Sequence, residues 1–471
     1  MEHKILGAAI MLGALLPATA RAATIQIGSS CSIAEAIQAA ETDTAVGGCV
    51  AGDQADELVI PGGTEEVWTS APTTISTELT LRTDSGRATI RRDTSAAYFT
   101  LFMLTPSAVV TLLDVSLRDG VSDDSAGCVL VPQGASFTAR RAIFDGCGLS
   151  PANAAGLPAG AIRNGGNMLL DSCLIVNTTT NTTEAALRTN GGTTTLVNTT
   201  VTASTASGIR HWNGTLELVH STVVGNGAFD VRIRAGRVAN ARNSVVQNVE
   251  GSWAATEGSL LSVSPLLGPL QDNGGPTATM APLQDSPTLD GADDTYCEAV
   301  DQRGLARPSG DHCDIGAVEH QVVCDNGFLH PSEDCDGVQF QPQFQTCPQG
   351  YEGTPLCDAT CTITGIPNGC TAIVDAGVAG SAGAGGAGGG AGSSAGGSGG
   401  TTGGTGPTDA GTAGSPIYEG DGSTLDAGVR SKKVDSDDCG CRLPGNSGSS
   451  SHPLIVAGLG ALLFVRRRTS P

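Results

Sequence analysis

Aromatic side chains are scarce in this chain: nine Phe, four Tyr and three Trp among 471 residues. A two-sheet sandwich core leans on aromatics and needs a turn every 8 to 12 residues, so that architecture is disfavoured. Positive charge is also short. Lys and Arg number 25 against 47 Asp and Glu, a net charge of −22. Nucleic acid and anionic lipid call for basic patches, so this balance argues against both as partners. The acidity itself reads as solubility, with cation binding or repulsion from an anionic surface as alternatives. Long apolar runs are lacking too. The run at 453–465 has 13 residues, or ~20 Å of helix, against roughly 30 Å of bilayer hydrocarbon. It suits a transient sorting signal better than a permanent span.

Glycine, by contrast, is abundant, at 66 residues. From 371 to 436 the chain is almost all Gly, Ala, Ser, Thr, Asp and Pro. Such a composition cannot bury enough apolar area to offset its ordering entropy. It reads as a flexible stalk with an r.m.s. reach of roughly 45 Å. At the other end Lys4, the apolar stretch 5–16 and Ala20-Arg21-Ala22 have the order of a signal peptide over 1–22, although Glu2 departs from that pattern. An exported chain keeps its thiols oxidised.

One pattern recurs between 110 and 248. It reads Asp114-Val115-Ser116-Leu117, Arg141-Ala142-Ile143-Phe144, Asp171-Ser172-Cys173-Leu174, Asn198-Thr199-Thr200-Val201, His220-Ser221-Thr222-Val223 and Asn243-Ser244-Val245-Val246. Its first residues are 27, 30, 27, 22 and 23 positions apart. Periods of this size mean stacked repeats, and the period-two alternation within them means strands. Asn164-Gly165-Gly166, Asn190-Gly191-Gly192 and Asn213-Gly214 supply the positive φ of tight corners. The physical solution is an all-β fold, a right-handed parallel β-helix over 23–320, with aliphatic ladders inside the tube. Asn177, Asn181, Asn198 and Asn213 lie in N-x-Ser/Thr sequons. Here they read as corner residues rather than glycan acceptors.

Several segments resemble known families. Cys31-Ser32-Ile33-Ala34-Glu35-Ala36 is similar to the Cys-Ser-Leu-Arg-Glu-Ala opening motif of bacterial surface β-helix proteins, with Ile33 and Ala34 in place of Leu and Arg. It predicts a short amphipathic helix capping the tube. Residues 264–277, Asp301-Gln302-Arg303-Gly304 and Cys313-Asp314-Ile315-Gly316-Ala317-Val318-Glu319 resemble the closing module of the choice-of-anchor family, whose members carry pectin-lyase-like β-helices and differ in their C-terminal anchor. Cys439-Gly440-Cys441, the apolar run and Arg466-Arg467-Arg468 resemble Myxo-type sorting tails of predatory and fruiting soil bacteria, placing such a tail at 437–471. That resemblance implies cleavage by an intramembrane sorting protease near Cys439 or Cys441, a lipid on cysteine, and display at the outer membrane.

The 15 cysteines add a second small unit at 321–370. Cys31 and Cys49, Cys128 and Cys147, and Cys297 and Cys313 are neighbours in sequence, which leaves connectivity open. Cys173 falls in an inward-reading strand and reads as a buried free thiol. Cys324, Cys335, Cys347, Cys357, Cys361 and Cys370 resemble a Cys-rich repeat of surface proteins; a unit this small needs disulfides as staples. A zinc site on Cys357-x3-Cys361 has His330 as its only nearby histidine. Asp325, Glu333, Asp334 and Asp336 offer oxygen ligands for Ca²⁺, or form a solvated acidic loop.

Two functional readings stand side by side. In the first the chain is a non-catalytic scaffold displayed at the cell surface for adhesion or for binding polysaccharide or matrix. In the second it is a tethered polysaccharide lyase or glycoside hydrolase. Hydrolases want two carboxylates close together. Asp119, Asp123, Asp124, Asp145 and Asp171 are the acids to consider. Asp145 and Asp171, 26 apart, are expected to stack on one face. Arg210 and His211 stand as further candidates, and His211-Trp212 as a sugar-stacking pair.

Overall fold

A computed structural model describes residues 22–123, 125–151, 159–180 and 184–373. The signal-peptide, sorting-tail and lipidation readings, with Cys439 and Cys441, the stalk from 374 onward, and Asp124 and Asn181 lie outside the described residues.

The repeats wind into a parallel β-helix with three faces. The first face is built from strands such as Ala55–Ile60, Glu78–Thr83, Val109–Leu113, Ser136–Arg140 and Asn167–Asp171. The second is a nine-stranded sheet running from Glu65–Trp68 to Leu260–Leu261. The third includes Phe102–Met103, Val129–Val131, Ile162–Asn164 and Val231–Ile233. The strands Ala185–Val197 and Ser207–Val219 run continuously round the corner between the third and first faces. The strands of all three faces pair in parallel, so each coil hands its register to the next.

That register stacks the inward residues into ladders. On the first face Ile25, Leu58, Leu81, Leu112, Ala139, Leu170, Leu196, Leu218 and Ala241 lie in line, all fully buried. On the second face Ile90, Leu117, Phe144, Ile175, Val201, Val223 and Val246 do the same. Each such aliphatic side chain contributes ~1.5–3 kcal/mol by leaving water. No coil has a partner for its inner face without its neighbours.

Between the first and second faces the chain turns through one left-handed residue per coil: Asp114, Arg141, Ser172, Asn198, His220 and Asn243, with φ from 42° to 60°. Asp171 does not occupy this corner; Ser172 does. Asp171 is the last residue of its strand and pairs with Arg140 and Val197. Just inside the corner, hydroxyls form a ladder. Thr199 Oγ1 accepts from Cys173 N, Ser221 Oγ from Thr199 N, Ser244 Oγ from Ser221 N, and Ser259 Oγ from Ser244 N. Cys173 sits at the start of that ladder, buried and outside any disulfide, its thiol pushed up to about 12 by desolvation.

The helix Ile33–Thr42 caps the N-terminal end. Ser32 and Glu35 form a reciprocal capping box, and Ile33, Ala36, Ile37, Ala39 and Ala40 face the core. The Glu66 carboxylate accepts from the N–H groups of Ile33 and Ala34, since a helix start favours negative charge. Cys31–Cys49 ties the cap to the loop that follows it. Cys128–Cys147 joins adjacent parts of the tube and Cys297–Cys313 lies in the closing segment.

Residues 264–320 run along the side of the tube. Gln302 bridges several coils: its Oε1 accepts from Thr200 Oγ1 at 2.6 Å, and its Nε2 donates to Cys173 O and Thr277 Oγ1. Asn198 donates to Val300 O, Asn243 donates to Asp293 O, and Ala317 N donates to Thr222 Oγ1. Gly316, with φ of 98°, lies so close that a Cβ there would stand 2.8 Å from Thr222 Oγ1. Arg307 and Glu319 pair in the interior of this segment at 2.8 Å. The Cys-rich unit follows, held by Cys324–Cys361, Cys335–Cys357 and Cys347–Cys370. Zinc through Cys357 and Cys361 is thereby excluded in the oxidised molecule, since neither sulfur is a thiolate.

Candidate functional site

Asp145 and Asp171, the pair expected to stack on one face, do not meet. Asp145 ends a strand of the second face and Asp171 ends a strand of the first. The Asp145 carboxylate is held by Arg118 at 2.7 Å and by the Asn177 amide at 2.8 Å. Asp171 is held by Arg140 at 3.0 Å and by the Ser172 hydroxyl at 3.0 Å. Asp119 is itself a left-handed corner residue, like Asn177 further along. His211 points into the tube and is fully buried, with Nδ1 2.6 Å from Thr189 Oγ1. Burial lowers its pKa, which keeps the ring neutral. It neither reaches solvent nor stacks on a sugar.

Arg210 does reach the surface, and it is not alone. The strand register places Arg163, Arg188, Arg210 and Arg232 opposite one another on four successive coils of the third face. Each follows an inward aliphatic residue, Ile162, Leu187, Ile209 and Val231 respectively. Alternation therefore turns every guanidinium outward. Adjacent strands lie ~4.8 Å apart, so the four charges form one stripe. Exposed Arg234 and Arg237 flank it.

Trp212 organises the middle of the stripe. The guanidinium carbons of Arg234, Arg188 and Arg210 lie 4.2, 4.7 and 5.1 Å from its ring centroid. Cation–π attraction holds like charges together that would otherwise repel. Trp212 is thus packed against arginines and remains partly exposed. Glu184 also binds the group, at 2.7 Å from Arg188 and 3.1 Å from Arg210. Arg188 is fully buried; its Nε donates to Asn190 Oδ1 and its Nη1 to Glu184, but its buried Nη2 has no partner. Side-chain exposure rises along the stripe, from 0% at Arg188 to 16% at Arg210 and 37% at Arg232.

Two recesses border the stripe. One, of about 230 Å³, is lined by Arg210, Trp212, Arg232, Arg234 and Glu250. The other, of about 740 Å³, lies at the corner with the first face and includes Gln133, Arg163, Asn190, Asn213, Thr215 and Arg237. Glycine keeps this corner flat. A Cβ on Gly192, where φ is 53°, would stand 1.8 Å from Gly166 O.

The stripe was readable in the sequence as an aliphatic-Arg pair recurring at 162–163, 187–188, 209–210 and 231–232. The net charge of −22 hid it. Between 163 and 237 there are six arginines against four carboxylates. Lys4, Lys432 and Lys433 are the only lysines, so the fixed positive charge of the described body is all guanidinium. Arginine presents planar paired donors that match carboxylate and sulfate, which lysine does not.

Fold and site together define a parallel β-helix with a guanidinium-lined lateral face. A search of family models and of curated proteins finds no match. Among solved structures, a pectate lyase, Pel9A, matches with 11% identity over 56% of this chain and 88% of that one, at a TM-score of 0.29. At that distance the fold assignment rests on the strand pairing itself, and the likeness carries nothing about activity.

Proposed function

We propose that this protein is a non-catalytic scaffold, displayed at the bacterial outer surface, that binds acidic polysaccharide along the third face of its β-helix. The observation that carries this reading is the arginine ladder. Arg163, Arg210 and Arg232 present guanidiniums along the coils, with exposed Arg234 and Arg237 beside them, and suit a polymer that repeats carboxylate or sulfate groups, while fully buried Arg188 holds Glu184 and Trp212 in place. Each interaction is modest, and a regular row of them adds up along one chain of ligand. The partner is thus narrowed from any matrix glycan to an anionic one. The hydrolytic reading loses its main support, because Asp145 and Asp171 stand on different faces and are each committed to an arginine.

The test is calorimetric titration of the purified full-length chain with polygalacturonate, alginate, heparin and neutral dextran. Binding to the acidic polymers that weakens as salt rises is the expected result. Binding of dextran alone, or of none of them, would sink the proposal. Release of unsaturated or reducing ends during the titration would replace it with the enzymatic reading.

A further inference from the structure

The Cys-rich unit holds a pair of carboxylates that ordinary hydrogen bonding leaves half satisfied. Glu333 and Asp336, three residues apart around Asp334 and Cys335, are 3% and 1% exposed. Glu333 Oε2 accepts from His330 N, and Asp336 Oδ1 accepts from Asn326 N, both at 2.9 Å. The second oxygens, Glu333 Oε1 and Asp336 Oδ2, are buried without a hydrogen-bond partner. An oxygen of each lies within 4.8 Å of the other, beside Cys361 Sγ. That sulfur is bonded to Cys324 and supplies no thiolate.

Two carboxylates facing each other out of water need a cation or a shared proton between them. Among the described residues, no side-chain cation pairs with either oxygen left over. The imidazole of His330 is turned to Ser332 N and Asp290 instead. Asp325 supplies a third carboxylate nearby: its Oδ1 would lie 3.1 Å from a Cβ on Gly337, the residue after Asp336, and its side chain is open to solvent. Asp334 is different. Its Oδ2 accepts from Ile363 N at 2.6 Å and serves the loop backbone. Of the four acids expected as Ca²⁺ ligands, Glu333 and Asp336 converge, Asp325 stands exposed beside Gly337, and Asp334 serves the backbone.

We infer that Glu333 and Asp336, with Asp325 at the mouth, hold a calcium ion in the disulfide unit. The donors are all oxygen, which selects a hard cation over zinc or copper. Calcium accepts irregular geometry and fills its remaining positions with carbonyls and water, whereas magnesium demands a near-ideal octahedron. Binding would couple the loop after Cys324 to the strand Cys335–Asp336.

The experiment is equilibrium dialysis of the full chain against ⁴⁵Ca²⁺ after EDTA treatment, with melting followed in parallel. Wild type is expected to take up calcium with the sub-millimolar to millimolar affinity of extracellular modules, and to melt higher in its presence. The double substitution Glu333→Gln/Asp336→Asn should abolish that uptake. Should it also disturb folding, Asp325→Asn, in the exposed position, is expected to weaken binding about tenfold with the disulfides intact by mass. Asp334→Asn should bind as wild type does. Absence of uptake by wild type would mean that the two carboxylates share a proton, and uptake that survives in the double variant would place the ion elsewhere. Either result overturns the inference.

Discussion

The same coils present two polar faces with opposite fates. At the corner between the first and second faces, Asn198, Thr200, Thr222 and Asn243 commit their hydrogen bonds to the closing segment. On the third face, Arg188 keeps a buried donor unpaired and Arg210 and Arg232 keep part of their surface in water. Both rows repeat once per coil, so repetition alone does not distinguish a row used by the molecule itself from one left for a ligand. What distinguishes them is access: the corner row, where Asn198 Oδ1 is also left unpaired, lies buried beneath the closing segment, whereas Arg210 and Arg232 remain open to solvent.

The largest expected effect breaks the open face. Arg210→Ala/Arg232→Ala should weaken acidic-polysaccharide binding about 100-fold, at ~1.5 kcal/mol for each charge-assisted hydrogen bond removed. Melting temperature should fall only modestly, because Glu184 keeps its pair with Arg188. The complementary change breaks the covered face. Gln302→Ala leaves Thr200 Oγ1, Cys173 O and Thr277 Oγ1 without their shared partner. It should cost about 1–3 kcal/mol of stability, read by urea denaturation, with polysaccharide affinity unchanged within about twofold.

A pH series sharpens the contrast. Burial, then the neighbouring Glu319, raises the Asp314 carboxyl to about 7 from 3.8. The folded state therefore holds this proton more tightly than the unfolded state, and stability falls as pH rises from about 4 through about 7. Buried His220, lowered to about 3 from 6.5, acts in the other direction. Its contribution is full above 6.5 and is lost as pH falls towards 3. The two slopes offset each other between about pH 4 and 6.5, so the closing segment should be most stable across that range, loosen as pH falls below about 4, and sit on a lower, flat level from about 7 upward, measured by hydrogen exchange at Ala317 N and Gly316 N. Ligand binding at the arginines should stay flat from about pH 6 to 9, because guanidinium does not titrate there. The smallest effect is expected at Asp145→Asn. Its surface pair with Arg118 is worth at most ~1 kcal/mol, and polysaccharide affinity should not change.

Much of this was legible in the sequence, for identifiable reasons. The interior ladders were readable because a stacked coil must repeat aliphatic residues at the coil period. The capping helix was readable from Ser32 and Glu35. Asn198, His220 and Asn243 were readable as corner residues because a left-handed turn recurs once per coil. The slip at Asp171 came from coil length: the corner spacings are 31 and 26 around Ser172 rather than 30 and 27, and one residue is enough to move a side chain from strand to corner. The same uncertainty made Asp145 and Asp171 look like one face at a separation of 26. A separation near one coil fixes a face only when every coil has the same length, and these do not.

The arginine ladder was also in the sequence but was averaged away, since net charge sums over a chain whose acids lie elsewhere. By itself, then, the sequence determined the tube, its core ladders, its cap and its corner residues, because those follow from periodicity and local backbone preference. Only the tertiary structure decided which polar row is covered, which carboxylates converge around Cys335 and which guanidinium is left with an unpaired donor. The first depends on where residues 264–320 fold against the coils and the other two on which side chains neighbouring coils and disulfide-linked loops bring together, and such interactions have no period from which they can be read.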